Sequence, residues 1–227
     1  MLGCMRTESL IAVAALLGFL PCHAQTAKPG EVAPGVTLPT SGDATVLVLD
    51  TTAAGLALVH VKPHEVVTAP HAAVNWLRAQ VLVGPHSTAE VEGQHADTIV
   101  ASTKAVVYVR LSGEEAEIMR DRVHLLWLQL SKRRREISDF SMNVFGGQRS
   151  RNVDEVPCET EMVEGTNWLK VTPKEPLLPG EFAIAFLPKD VNQLPGAVYD
   201  FSVSGGKATP GNPYATKQSS APDAKNP

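Results

Sequence analysis

Short, largely apolar runs separated by turn-forming residues constrain the fold of this chain more than any other feature. Between residues 106 and 203 such runs are four to eight residues long, and Pro, Gly, Asn or Asp residues separate most of them. Runs of this length and punctuation are typical of strands in a β-sandwich or barrel. The sequence therefore predicts an all-β fold: an antiparallel β-sandwich, Ig-like in general architecture, with a short connecting helix and a disordered tail. The runs are residues 106–109, 123–130, 168–171, 182–187 and 198–203.

One of these runs, residues 123–130, is apolar on both faces apart from His124 and Gln129. Such a strand is usually central and covered on both sides, so we predict that it lies in the middle of the fold. Ser112 is suited to cap a short connecting helix, and Pro179-Gly180 predicts a type II turn in which Gly180 takes a positive φ. Further strands are predicted at residues 45–50, 55–61, 71–83 (where a short helix also fits), 87–93, 97–101, 104–111, 136–142, 156–163, 168–172, 181–187 and 197–204.

The N-terminus has the order of a secretory signal peptide. Arg6 stands in the first region, an apolar run of eleven residues follows at 10–20, and Pro21 ends it. Eleven residues are too few to cross a bilayer core of about 30 Å as a helix, and the small side chains of Cys22 and Ala24 suit cleavage after Ala24. The sequence predicts an exported protein, periplasmic or secreted, with no transmembrane segment in the mature chain. A lipid anchor on Cys22 is disfavoured, because such signals need a small residue where Pro21 stands.

Changes in composition divide the chain into four parts. Removing 24 of the 227 residues as a signal peptide leaves 203, enough to fold without disulfides or metals. The strands form one domain, although the pattern also allows two β modules at 43–111 and 123–204. The predicted parts are a signal peptide (1–24), an extended lead-in (25–42), a β-sandwich domain (43–204) and a disordered tail (205–227).

The overall composition excludes several classes of function. The chain is 44% hydrophobic and 19% charged, which is ordinary for a globular protein, and its formal net charge of −4 argues against a nucleic-acid partner. It contains no P-loop, dinucleotide fingerprint, GxSxG or CxxC motif, so we predict no cofactor and assign no catalytic residue. Cys158 remains alone after cleavage, and the period-two pattern of residues 156–162 predicts a buried strand cysteine.

Four segments carry a resemblance to a group of proteins. They are residues 107–111 (Val-Tyr-Val-Arg-Leu), 134–137 (Arg-Arg-Glu-Ile), 179–183 (Pro-Gly-Glu-Phe-Ala) and 199–201 (Tyr-Asp-Phe). Over the second half of the mature chain, the sequence resembles uncharacterised secreted bacterial proteins with a late PGEYA turn-strand and a terminal YDFGV-like strand. Phe182 stands where Tyr is usual, and Ser202 where Gly is usual. The resemblance implies a secreted β-rich fold of unknown function, and its motifs are structural rather than catalytic.

Basic residues cluster around the turn predicted after residue 130. Such a cluster can bind an anionic polymer or an envelope surface, and at a hairpin turn it can also be a solvated connection that keeps strand edges from mispairing. If a surface patch binds a partner, we predict that these arginines form it. They are Arg133, Arg134, Arg135, Arg149 and Arg151.

Three histidines, His60, His64 and His71, fall within twelve residues of one another. A zinc or copper site needs converging imidazoles and a further ligand. Pro63 disfavours a helix that would bring His60 and His64 onto one face. We therefore predict no metal site and an ordinary place for these histidines on the surface and in turns, but they are the candidates if a metal binds.

Carboxylates gather in a second segment of the chain. Alternation places Glu159 and Glu161 on one face of a predicted strand, where charged residues are usually solvated. The alternatives are a calcium site or a pair of glycosidase carboxylates. The carboxylates are Asp154, Glu155, Glu159, Glu161 and Glu164.

These patterns favour an exported, non-enzymatic β-sandwich protein that acts as a binding or structural module in the periplasm or outside the cell. Its candidate partners are an envelope protein or an anionic polymer. Two alternatives from other classes stay open: an envelope hydrolase that uses a carboxylate pair such as Glu159 and Glu161, and a metal-binding protein that uses His60, His64 and His71.

Overall fold

The computed structural model describes residues 29–43, 45–70, 86–112, 116–131, 133–142, 149–190, 193–205 and 212–214. The predicted signal peptide, the predicted strand at 71–83 and most of the predicted tail lie outside these ranges. The elements are β1 (Glu31–Ala33), β2 (Val36–Thr37), β3 (Val46–Thr52), β4 (Gly55–Val61), β5 (Pro63–Glu65), β6 (Val67–Pro70), β7 (His86–Glu92), β8 (Thr98–Val100), β9 (Val106–Arg110), α1 (Ala116–Arg120), β10 (Val123–Ser131), β11 (Arg134–Met142), β12 (Arg149–Val153), β13 (Cys158–Met162), β14 (Trp168–Pro173), β15 (Gly180–Phe186) and β16 (Ala197–Val203).

The strands form two large sheets and a small hairpin. A five-stranded sheet has the order β13-β14-β9-β3-β4, and a nine-stranded sheet follows the path β5-β16-β15-β10-β11-β7-β6, with β12 paired to β11 and β8 to β16. Strands from both halves of the chain share each large sheet. The pairs are antiparallel except for β8 with β16, which is parallel. The prediction of an all-β, sandwich-like fold with a short helix is confirmed.

The main core lies between the five-stranded sheet and strands β16, β15 and β10. Alternate residues of β10 point into it, among them Leu125 and Trp127, and Phe182 of β15 belongs to the same core. The rings of Trp127 and Phe182 pack edge to face with centroids 5.1 Å apart. Burying each such side chain stabilises the fold by about 1.5–3 kcal/mol.

A second core lies on the opposite face of the same central strands. Leu126 and Leu128 of β10 pack there against Ile137 and Phe140 of β11 and Val91 of β7. Strand β10 is therefore buried on both faces, as its unbroken apolar run predicts. A third, smaller core covers the outer face of the five-stranded sheet; its members include Leu38, Leu47, Tyr108 and Trp168.

The nine-stranded sheet folds back over itself where β11 leaves β10. The two strands pair only over 129–131 and 134–136, and a register irregularity follows between Glu136 and Ser138 in the pairing of β11 with β7. Further along β10, its partner is the segment after β12: Trp127 N–H donates to Asp154 O (2.7 Å). Strand β12 therefore enters between the diverging strands, and this divergence makes the second core possible.

Gly180 corrects the predicted type II turn. Its φ is outside the left-handed region, unlike that of Gly30, Gly35 or Gly55, and it begins β15 instead of completing a turn. The reason for a glycine is steric. A Cβ at Gly180 would lie 2.5 Å from Cζ3 of Trp127 and still closer to Cη2.

We expect Gly180→Ala to lower the free energy of unfolding by about 1–3 kcal/mol, because the added methyl group overpacks the site against the Trp127 ring. Urea-induced unfolding of the protein measures the effect. Gly196→Ala is the matched control, since no atom lies within 4 Å of a Cβ at Gly196. Equal midpoints for the two variants would contradict this account.

Candidate functional site

The predicted basic patch is not assembled as one exposed surface. Arg135 is buried at 1% exposure, whereas Arg133 is exposed. Arg134 forms ion pairs with Glu90 (3.1 Å) and Glu92 (3.8 Å). The side chain of Arg149 lies outside the described residues, and the binding role of the arginine set stays a prediction.

Arg151 is used by the fold itself. Its guanidinium donates to the carbonyl oxygens of Pro188 (3.0 Å) and Gln193 (3.2 Å). Burial lowers the pKa of Arg151, and the Asp190 carboxylate acts in the opposite direction. The side chain therefore fastens β12 to the loop after β15.

Arg135 belongs to a buried charge network that sequence reasoning missed. Its guanidinium contacts the Asp200 carboxylate closely, lies 3.4 Å from Glu181 Oε2 and donates to the carbonyl oxygen of Glu92 at 3.0 Å. Asp200 and Glu181 are 1% and 4% exposed. Because one guanidinium faces two carboxylates, other donors must meet the remaining negative charge.

Those donors reach the carboxylates from the surface side. Glu181 accepts hydrogen bonds from the Ser202 hydroxyl (2.7 Å to Oε1) and from the Ala96 N–H (3.0 Å to Oε2), and His95 Nδ1 lies 3.0 Å from Oε1. His64 Nδ1 contacts Asp200, and its Nε2 lies 3.7 Å from Asp97 Oδ2. The network thus runs from half-buried and exposed imidazoles to a fully buried ion pair.

The signal for this network was present in the sequence. Glu181 shares a strand face with Ala183 and Ala185, and Asp200 shares one with Val198, and these three apolar residues lie in the second core. A charged residue on the buried face of a strand requires a partner of opposite charge. The sequence alone does not identify Arg135 as that partner, because β11 pairs with neither β15 nor β16 and strand pairing therefore does not bring these residues together.

Carboxylate–imidazole contacts are the elements of acid–base chemistry. Here Arg135 and the hydrogen-bond donors engage both buried carboxylates, and the Ser202 hydroxyl is 2.7 Å from Glu181. The contacts of this group therefore link five strands of the nine-stranded sheet: β5, β7, β11, β15 and β16.

The candidate metal ligands His60 and His64 have different surroundings. His60 is exposed on β4, and His64 contacts Asp200 in the network. His71 lies outside the described residues. Within the described ranges, no group of three or more His, Cys, Asp and Glu side chains is arranged to hold a metal ion.

The candidate carboxylate pair lies on an edge strand. Glu159 and Glu161 are both exposed on β13. Lys170 lies 2.7 Å from Glu161 and lowers the pKa of that carboxyl through a hydrogen bond. Of the other carboxylates in this segment, Glu155 is 2.9 Å from His124 Nδ1, and this hydrogen bond lowers the pKa of Glu155.

Cys158 is half-buried at the start of β13 and packs against the main core. Its thiol lies 3.2 Å from the carbonyl oxygen of Val156. Burial first, and then the negative charge of Glu155, raise the pKa of Cys158 to about 12. A thiol with a pKa this high has little thiolate available to act as a nucleophile.

Shallow concavities lie on the described surface, and two of them contain charged residues. One, of about 310 Å³, lies between the start of β9 and the end of β14 and includes Lys104 and Lys174. The other, of about 280 Å³, lies where β10, β11 and β12 diverge. It is lined by polar side chains, and Asp154 there accepts hydrogen bonds from Gln129 and from Asn212 (2.9 Å).

The edges of the sheets differ in how they are protected. Short length, charged side chains and proline are the usual devices that prevent an edge strand from pairing with another chain. Strand β13 carries Glu159 and Glu161, β5 and β6 carry Pro63 and Pro70, β8 has three residues, and β12 carries Arg149 and Arg151.

Strand β4 has none of these devices. Its seven residues, Gly-Leu-Ala-Leu-Val-His-Val, include no Asp, Glu, Lys, Arg or Pro. Its pairing with β3 is continuous from Val46↔Val61 to Thr52↔Gly55. In the described part of the chain β4 pairs with β3 alone, and Leu56 on it is 46% exposed.

Compared with family models, with curated protein sequences and with solved structures, the chain gives no significant match. Among the described residues, no helix has the length and apolar character that crossing a membrane would require.

We expect Arg135→Met to lower the free energy of unfolding by about 3–5 kcal/mol, because it leaves Asp200 and Glu181 buried without their cation. Lys170→Met is the control, since its partner Glu161 is 66% exposed and an exposed pair contributes less than about 1 kcal/mol. Urea-induced unfolding of both variants provides the comparison. Equal losses would show that the buried network does not stabilise the fold.

We expect Cys158 to react slowly with iodoacetamide in the native protein at pH 8. A pKa of about 12, against an ordinary value of 9.0, lowers the thiolate fraction about a thousandfold. Mass spectrometry over time measures the modification, and the same chain unfolded in urea is the control. Similar rates in the two states would contradict the raised pKa.

Proposed function

We propose that this chain is exported and acts as a non-enzymatic binding module in the periplasm or at the cell exterior, where it binds a protein partner by β-strand addition to β4. The observation that supports the proposal is the edge of β4, which pairs with β3 alone among the described residues. It is seven residues long, regular and free of charged residues and proline.

The chemistry of such an edge is specific to an extended polypeptide. In an antiparallel sheet, alternate residues direct their N–H and C=O groups away from the existing partner strand. An added strand satisfies these groups, so main-chain hydrogen bonds provide affinity and side-chain contacts on the two faces provide specificity.

The side chains of β4 add apolar contacts on both faces. Val61 lies in the main core and Leu58 packs against the outer core, so the strand is held firmly in position. Leu56 and His60 are exposed on the outer face. A partner strand with apolar residues on that face would cover Leu56.

Export is supported by the pattern of the first 24 residues, and the lone cysteine that cleavage would leave does not conflict with it. A free thiol with a raised pKa is compatible with an oxidising compartment, because the thiolate is the form that reacts. Of the candidate partners, β4 favours an envelope protein over an anionic polymer, since the edge offers hydrogen bonds and apolar contacts and no positive charge.

The test is site-specific photo-crosslinking in the native bacterial host, using the chain with its own signal peptide. A photo-crosslinking amino acid replaces Leu56, and in a matched control it replaces Ile118 of α1, because the two side chains are 46% and 48% exposed. We expect a discrete protein crosslink from position 56 alone, on a chain that begins at Gln25 in the periplasmic or secreted fraction.

Two results would count against the proposal. Equal crosslinking from the two positions would show that the β4 edge is not a preferred binding surface. A chain that keeps its first 24 residues and stays in the cytoplasm would remove the proposed location.

A further inference from the structure

We infer that the strand added to β4 is the β4 of a second copy of this chain. The two strands pair antiparallel about a two-fold axis at Leu58, and the two five-stranded sheets join into one continuous sheet. This inference rests on the proposed function, because it names the partner of the same edge.

The first argument is self-complementarity. Leu58 is the middle residue of β4, which spans Gly55–Val61. If Leu58 lies opposite Leu58 of the second copy, all seven residues overlap, and Leu56 lies opposite His60. Strand β4 contains no Asp, Glu, Lys or Arg, so this pairing places no like charges of these residues opposite each other.

The second argument comes from the opposite edge of the same sheet. If β4 of one copy paired with β13 of the next, the contact would be heterologous and could continue into a filament. Glu159 and Glu161 of β13 would then enter the joint sheet, where the apolar side chains of β4 offer them no partner. The charged edge therefore disfavours this arrangement and favours the closed pairing of β4 with β4 over such a filament.

The third argument is the exposure of Leu56. It is a large apolar side chain, 46% exposed, on the face that also carries the half-buried Leu58 of the outer core. Pairing with a second copy extends this apolar face across the two-fold axis. Stable dimers bury about 800 Å² per partner; a pair of seven-residue strands is smaller, so we expect a reversible dimer.

The test uses charges at Leu56 and His60 in the mature chain. These positions are four residues apart, or about 13 Å along one strand, so they do not meet within one molecule. Their neighbours on β3, Thr51 and Leu47, are uncharged. In the proposed dimer, however, position 56 of each copy faces position 60 of the other, which gives two such pairs by symmetry.

We therefore compare two double variants whose introduced charges can pair only with those of the second copy. Leu56→Lys/His60→Glu creates two opposite-charge pairs across the interface, and Leu56→Lys/His60→Lys creates two like-charge pairs. Sedimentation equilibrium at concentrations up to the order of 100 μM measures dimerisation. We expect the first variant to dimerise at least about tenfold more tightly than the second, and the unaltered chain to dimerise reversibly.

A cysteine experiment tests the register without relying on the charge variants to fold. Two chains are prepared in a Cys158→Ser background, one with Leu56→Cys and the other with His60→Cys. Directly opposite residues have Cβ atoms about 4.5–5.5 Å apart, close to what a disulfide needs. We expect oxidation to link the mixture as a heterodimer and to leave each chain alone largely unlinked.

The inference is overturned if the unaltered chain is monomeric over the whole concentration range, if both charge variants dimerise equally, or if the cysteine mixture forms no more heterodimer than either chain forms alone. The photo-crosslinking result separates this failure from that of the proposed function. A crosslink from position 56 to a different envelope protein would leave β4 as a binding edge and exclude the second copy as its partner.

Discussion

The fold depends on one buried ion pair at the point where its layers meet. Arg135 of β11 contacts Asp200 of β16 and lies 3.4 Å from Glu181 of β15. Such a pair adds little net stability, because the cost of removing charges from water offsets their attraction. Its consequence is positional. If β11 slipped by one residue, Arg135 would move to the other face of the strand and leave two carboxylates buried without a cation.

This constraint explains why the sheet can fold back on itself. Strand β11 pairs with β10 only near the hairpin turn and then diverges, so backbone hydrogen bonds do not hold it over the central strands. The apolar contacts of Ile137 and Phe140 hold it there, but apolar contacts tolerate sliding. The guanidinium of Arg135, buried among acceptors from β7, β15 and β16, fixes the register that apolar packing leaves open.

Local patterns in the sequence predict the elements whose burial is simple. The bounds of β4 are predicted to the residue, and residues 123–130 are central because both faces are apolar. Strands β5 and β12 escape prediction for a physical reason: their sequences give them no apolar face, and they form because a neighbouring strand pairs with their backbone. Local patterns also do not reveal the charge network, because Arg135 and Asp200 are 65 residues apart in the chain.

Gly180 shows how a correct residue pattern can carry the wrong explanation. The Pro-Gly pair suggests a turn that needs a positive φ, yet the glycine serves the close approach of Trp127. The information that decides between the two explanations lies 53 positions away in the chain, on a strand that becomes a neighbour only after β10 and β15 pair.

The two exposed outer positions of β4 differ from the buried ones, because packing does not require uncharged side chains there. Leu56 and His60 are exposed, so a lysine or glutamate at either position would remain in water and would cost the core nothing. The chain uses that device elsewhere: β13 carries exposed glutamates, and its neighbour β14 supplies Lys170. A protected β4 was therefore available to this fold at no cost to its stability. The absence of charged residues from β4 is a property of the sequence rather than a consequence of the sandwich, and the strand pairing that we propose is a physical reason for it.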